Sequence, residues 1–229
     1  LPTLEPDLLQ ALPLYTSCVP EFGVGDKDYH EVQTWQARVS GGLNCYSSIR
    51  SNVDDEQQSR ALLSFSSKAL ERNHDELTTL LYETIHGVRF DESQRLKEIV
   101  EQICTRKESS ITGQGHILAM NLASSRMSPT AWLTHSFAGL QGIRYLKSLR
   151  DDMADAARRE ALLDSFAQIH ERVSSSSRRF LLIGEPETEA AMLESLNRHW
   201  QQSLNTASVD PLTLSPVREQ VRQAWTTST

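Results

Sequence analysis

Leu8, Leu12, Tyr15 and Val19 recur at the spacing of one helical face, and Pro6 ahead of them suits a first helical turn. Pro13 lies inside the run and predicts a kink or a split. A second helix follows GVGDKDY, with Asp26 as the expected cap and Val32, Trp35 and Val39 on one face. The period then changes to two. In GGLNCYSSIR, Leu43, Cys45, Ser47 and Ile49 face one way and Asn44, Tyr46, Ser48 and Arg50 the other. Leu63, Phe65, Ser67 and Ala69 repeat the alternation after the polar turn NVDDEQQ. The two runs predict antiparallel neighbours, because a parallel pair needs a crossover helix that this turn does not contain.

Helical spacing returns and persists. Leu77, Leu80 and Leu81 mark a helix opening at Asn73, and Leu96, Ile99, Val100 and Ile103 mark the next, with Asp91 as its expected cap. SSITGQGHILAM, Ser109 to Met120, interrupts the pattern and admits three readings: a phosphate cradle, a metal-ligand loop, or a joint between helices. Two more helical runs follow, broken at Ser128-Pro129, and Leu162, Phe166, Ile169 and Val173 line a further helix ending at SSSSRR. RRFLLIGE predicts a short buried strand, and Pro186 opens a last helix with Leu193, Leu196 and Trp200 facing inward. From Asn205 onward, TASVDPLTLSP has linker composition. The predicted fold is α+β, a two-layer domain with an antiparallel sheet covered on one face by helices. Two or three strands make a poor sheet, so a further strand is expected, missing from this piece or supplied by a neighbour.

Composition narrows the function classes. The chain has 229 residues, 38% hydrophobic and 23% charged, enough for one large domain with a sizeable core. A net charge of -7 repels nucleic acid on average, and the dense basic spots, Arg158-Arg159 and Arg178-Arg179, read as solvated faces. Neither nucleic acid nor membrane is expected as a partner, since no apolar run approaches ~18 residues. Cys18, Cys45 and Cys104 are too few and too scattered for a disulfide framework, which favours a reducing compartment, the cytoplasm or an organelle matrix. The chain opens at Leu1 and stops at WTTST, as a piece of something longer would.

Catalytic motifs are sparse. None of the seven histidines sits in a His-x-x-Glu-His or His-Glu-x-x-His arrangement, which zinc peptidases use to put two imidazoles and a general base on one helical face. Glu83 and His86 have the spacing of half a carboxylate-bridged di-metal site, without a second Glu-x-x-His to complete it. There is no Gly-x-Ser-x-Gly elbow, and no glycine precedes a lysine, so GQG does not form a phosphate loop. His116 lacks a partner at ligand spacing. No catalytic and no metal-ligating residue is assigned, and the substrate-binding residues are unknown.

Longer strings go further. LPLYTSCVPEFGVGDKDYHEVQTWQARVSGGLNCYSSIRS, then SSITGQGHILAMNLASSRMSPTAWLTHSFAGLQGIRYLKSL, then RRFLLIGEPE resemble the inverted-zinc metallopeptidases of the pitrilysin and insulinase group, within them the presequence-protease branch. The resemblance runs from Leu1 to about Trp200 and continues into the linker. It implies a four-domain parent whose two bowl-shaped halves close around a peptide, with zinc held on the first domain. Residues 1–203 resemble the third, non-catalytic domain, and 204–229 a linker to a fourth. The family's substrate-holding arginine and tyrosine would lie beyond Thr229, so no residue here inherits that role.

The implied function is to enclose and support unstructured, presequence-type peptides in a closed chamber. The implied cofactor is none in this piece and zinc in the parent, and the implied partner is the catalytic N-terminal half of the same chain. GQGH becomes a joint in a long helical stretch, since Gly113 and Gly115 each weaken a helix by ~1 kcal/mol. Two other classes stay open at this stage: an inactive structural subunit of a processing or respiratory complex, and an unrelated helical binding module.

Overall fold

Burial of its apolar stripe makes the first helix, α1 (Pro6–Cys18), the axis of the core: Leu12, Tyr15 and Cys18 are inaccessible to solvent. The structure is a computed structural model that describes residues 1–200 and 210–214. Pro13 lies within α1 without splitting it. Its missing N–H costs about 3 kcal/mol, but burial of Leu9, Leu12, Leu14 and Tyr15 on both sides is worth about 1.5–3 kcal/mol per side chain.

A 3-10 turn, Val19–Glu21, leads to α2 (Tyr29–Val39), β1 (Leu43–Ser51) and β2 (Ser59–Ser67), followed by α3 (His74–Gly87) and α4 (Ser93–Ser110). Then come α5 (Gly115–Ser124), α6 (Pro129–Ala138), α7 (Leu140–Asp152), α8 (Ala156–Ser174) and, after a 3-10 turn, α9 (Glu189–Trp200). The α+β class holds. β1 and β2 pair antiparallel, with Cys45 opposite Phe65, Ser47 opposite Leu63 and Ile49 opposite Ala61. Ile49, Ala61, Leu63 and Phe65 pack on the core, while Tyr46 and Leu62 lie exposed on the other face, so helices cover one side of the sheet.

Several local expectations are corrected. The cap of α2 is Asp28, not Asp26: its carboxylate accepts from the Glu31 N–H at 2.9 Å, and the Glu31 carboxylate accepts from the Asp28 N–H at 3.0 Å. That reciprocal pair satisfies two otherwise orphaned donors, and its signature, Asp-x-x-Glu, stands in the sequence. Glu92, not Asp91, precedes α4, and Asp91 instead accepts from Arg89 Nε at 3.1 Å.

The helical run after Ser128-Pro129 is two helices, broken at Gly139. RRFLLIGE forms no strand: Arg178–Glu185 runs between helices without a ladder, and Leu181 and Ile183 are 82% and 84% exposed. Among the described residues no neighbouring strand supplies the hydrogen bonds that a short extended segment needs. On α9 the inward face carries Ser195 and Trp200, while Leu193 points to solvent.

The expected linker 204–229 lies largely outside the described residues. Within it, Leu212 is buried and its N–H donates to the Leu1 carbonyl at 3.0 Å, and Thr3 N–H donates to the Asp210 carbonyl at 3.1 Å. The Leu1 ammonium donates to the Ala61 carbonyl at 2.9 Å, which brings this pair of short segments to the β2 side of the sheet. No helix among the described residues is long and apolar enough to cross a membrane.

Candidate functional site

The end of α3, the C-terminal part of α8, the extended run after α8 and the end of α9 meet in a corner of rings and histidines. His86 donates from Nδ1 to the Tyr82 carbonyl at 2.8 Å and accepts at Nε2 from Arg178 Nη1 at 3.2 Å. Both ring nitrogens are therefore engaged in the neutral form. Tyr82 stacks on His86 with centroids 4.1 Å apart, Trp200 lies edge-on to Tyr82 at 5.1 Å, and the Arg178 guanidinium sits 5.3 Å from the Trp200 ring. Asp75 fastens α9 to α3, accepting from Ser195 Oγ and Arg198 Nη1 at 2.8 Å each. The Ser195 hydroxyl, then Arg198, hold its carboxyl below the usual range.

His170 on α8 has its Nδ1 2.9 Å from the Tyr15 hydroxyl, and its ring also bonds the Ile85 backbone. Burial lowers the pKa of both histidines below the ordinary 6.5, and the charge of Arg178 adds to it. The neutral form is thus favoured by folding, so the unfolded chain takes up more protons. Stability is fully present above pH 6.5 and is lost as the pH falls through the lowered folded values, at up to about 1.4 kcal/mol per pH unit for the largely buried His170. His86 is more exposed and contributes less, because solvent screens it. Urea unfolding between pH 7.5 and 5 should show this slope, and His170→Gln should flatten it; an unchanged slope would show that His170 is not the titrating group.

Glu92 is a second fastening point. Its Oε2 accepts from Gly23 N–H at 2.8 Å and its Oε1 from Tyr29 N–H at 3.1 Å, tying the α1–α2 connection to the start of α4. Glu92→Ala strands two partly buried donors and should destabilise by about 1–3 kcal/mol in chemical denaturation. Glu92→Gln, which keeps one acceptor, should lose less.

Basic doublets divide the same way. Arg159 donates to Ser93 Oγ at 3.0 Å and to the Met153 carbonyl at 2.6 Å, so it ties α8 to α4 and α7, while Arg158 is solvated. Arg178 serves the ring corner and Arg179 is exposed. The reading of both doublets as solvated faces is corrected for Arg159 and Arg178, and sequence reasoning missed Glu92 and His170, because Arg159–Ser93, Glu92–Gly23, Arg178–His86 and His170–Tyr15 are 66, 69, 92 and 155 residues apart, beyond any local pattern.

The donors singled out by their spacing, Glu83, His86 and His116, do not converge. Glu83 is turned to Lys27 at 4.0 Å, both nitrogens of His86 are engaged elsewhere, and His116 is exposed on the first turn of α5. Among the described residues no three of His, Cys, Asp and Glu cluster as metal ligands would. The cysteines are free thiols, and burial pushes Cys45 up to about 12 and Cys18 and Cys104 upward too, so none is a nucleophilic thiolate. In the shallow groove between α2 and α3, Glu76 accepts from Trp35 Nε1 at 3.2 Å and pairs with Arg38, so its walls use their polar groups on each other. The GQGH stretch is a joint: α4 stops at Ser110 and α5 starts at Gly115.

Geometry of this kind defines a two-layer α+β domain whose polar clusters fasten helices rather than gather ligands. The chain belongs to the associated-domain family of peptidase group M16, subfamily C, whose model matches residues 1–149. It is 28% identical over 149 residues to the mitochondrial presequence protease of Danio rerio, covering 65% of this chain and 15% of the relative. It is 27% identical over 147 residues to presequence protease 1, chloroplastic/mitochondrial, of Arabidopsis thaliana, covering 64% of this chain and 14% of that one. With the mitochondrial presequence protease of Aspergillus fumigatus it shares 24% identity over 217 residues, 91% of this chain and 20% of the relative. The chain thus spans a fifth or less of the length of these relatives.

Proposed function

We propose that this chain is a non-catalytic domain of a longer zinc metalloendopeptidase that degrades unstructured, presequence-type peptides within a closed chamber in an organelle matrix. The observation that carries the reading is the family match over residues 1–149, combined with relatives that are presequence proteases several times its length. The donor geometry supports the division of labour: both ring nitrogens of His86 are engaged by its neighbours and, among the described residues, no three candidate ligands cluster, so the zinc chemistry would be supplied by the catalytic half. This domain would contribute a rigid wall that excludes folded proteins and helps bury the peptide, a task that suits closing chambers in general. The net charge of -7 suits basic peptides.

Cleavage of a quenched fluorescent, unstructured peptide tests the reading. The purified chain with added zinc should give no chelator-sensitive turnover, and the full parent polypeptide should give it. Turnover by the chain alone would overturn the non-catalytic assignment. A parent without any chelator-sensitive turnover would favour an inactive structural subunit.

A further inference from the structure

The run from Arg178 to Glu185 crosses from α8 to α9 with the exposure pattern of a strand that has no ladder. Phe180 and Leu182 are 38% and 39% exposed, whereas Leu181 and Ile183 are 82% and 84% exposed. Alternation with a period of two marks extended backbone, one row of side chains turned inward and the next outward. The inward row lies on α9: the Phe180 ring is edge-on to Trp200 at 5.2 Å, and a Cβ at Gly184 would lie 2.8 Å from Met192 Sδ. The outward row is Arg179, Leu181, Ile183 and Glu185, all exposed. Among the described residues, no backbone–backbone hydrogen bond engages Arg179 to Gly184. An apolar edge left open in this way recruits another strand. A two-stranded ribbon by itself is marginal, but a strand already backed by a helix has the support that an added strand needs.

Charge selects the partner. The outward row reads positive, apolar, apolar, negative, so it is complementary to itself run in the opposite direction. In an antiparallel pair of two such segments with a two-fold axis at Leu182, Arg179 of each copy stands opposite Glu185 of the other, and Leu181 opposite Ile183. Residues opposite one another share a face, so both ion pairs and both apolar pairs fall on the outward side. Parallel pairing in register would instead set Arg179 against Arg179 and Glu185 against Glu185. Neither charge has an ion-pair partner of its own among the described residues, so both are free to serve a second copy. A patch that complements itself about a two-fold axis is what a symmetric dimer requires.

We propose that two copies of this chain pair through residues 179–185 as antiparallel strands about a two-fold axis at Leu182. Each copy supplies the hydrogen-bonding edge and the opposite charge that the other lacks. The inference uses only the exposure, backbone bonding and charge order of this segment, and so stands apart from the peptidase reading.

Self-association of the purified chain tests it. Sedimentation equilibrium should show a reversible monomer–dimer transition, and a chain that stays monomeric at about 100 μM overturns the proposal. Charge reversal then tests the register. Arg179→Glu sets like charges against Glu185 at both ends of the pair, and Glu185→Arg does the same against Arg179, so each should weaken the dimer by about tenfold. An equimolar mixture of the two variants should recover the lost affinity, because the mixed pair again has opposite charges at both ends. Arg158→Glu, the same change of charge on a solvated part of α8, should leave the dimer unchanged. Both reversed positions are exposed, so the thermal transition of each dilute variant should be unaltered. A dimer indifferent to both reversals, or a mixture no tighter than either variant alone, overturns the proposal. So does a monomeric longer polypeptide in which the amides of 180–184 are protected from exchange, since another segment of the same chain would then hold the edge.

Discussion

Phe166→Ala is expected to lower the unfolding free energy by about 3–5 kcal/mol, the range for emptying a buried aromatic site. Phe166 is fully buried on α8 and stands at the meeting point of three elements. Its ring is edge-on to Tyr15 of α1 at 6.0 Å and to Phe90, ahead of α4, at 6.3 Å, and Phe90 in turn is edge-on to Phe22 at 6.1 Å. Truncation removes the transfer free energy of the ring and leaves a void that these rings cannot all fill, because each is held by others. Typical domains have only about 5–15 kcal/mol to lose, so the variant should sit near the edge of folding. Phe166→Leu, which keeps most of the volume, should lose about 1.5 kcal/mol or less. Urea denaturation of the three proteins checks the pair of values. A loss below about 1 kcal/mol for alanine would mean that the aromatic cluster does not hold α8 to α1.

Gly142→Ala should destabilise by about 2–3 kcal/mol, although alanine is the better helix former by about 1 kcal/mol. The reason is contact, not conformation. A Cβ at Gly142, in the first turn of α7, would collide with the Phe137 carbonyl oxygen and lie 2.5 Å from the carbonyl carbon. Those atoms belong to the end of α6 and cannot rotate aside as a side chain would, so the α6–α7 corner must open. Gly115 gives the contrast: a Cβ there meets nothing within 4 Å, so Gly115→Ala should be neutral or stabilise by up to about 1 kcal/mol. Thermal unfolding of both variants decides the matter; equal effects at the two glycines would show that the corner yields freely.

Legibility from sequence followed the range of the interactions. The β1–β2 pair could be read because alternation and a short turn are properties of neighbouring residues, and the pairing of Cys45 with Phe65 keeps like faces together. The joint at GQGH and the Ser128-Pro129 start of α6 could be read for the same reason: glycine, serine and proline act on their own backbone. The cap at Asp28 was equally local, and Asp26 competed with it only because acceptors abound in GVGDKDY. RRFLLIGE was misread because an apolar run is necessary for a buried strand but the strand itself requires a neighbour, and the chain places Phe180 against Trp200 instead. As for the candidate site, spacing could show that Glu83 and His86 were half of something. It could not show that Arg178, 92 residues away, occupies the imidazole nitrogen.

By itself the sequence determined the α+β class, the antiparallel hairpin of β1 and β2, and the absence of a His-x-x-Glu-His motif within these 229 residues. All three depend on residue identity and near-neighbour period. Only the tertiary structure decided which charged groups became fasteners and which glycine carries a close contact. Those outcomes depend on what lies across the fold. Burial, partner distance and steric clearance are properties of pairs brought together by the chain's path, and no local pattern encodes them.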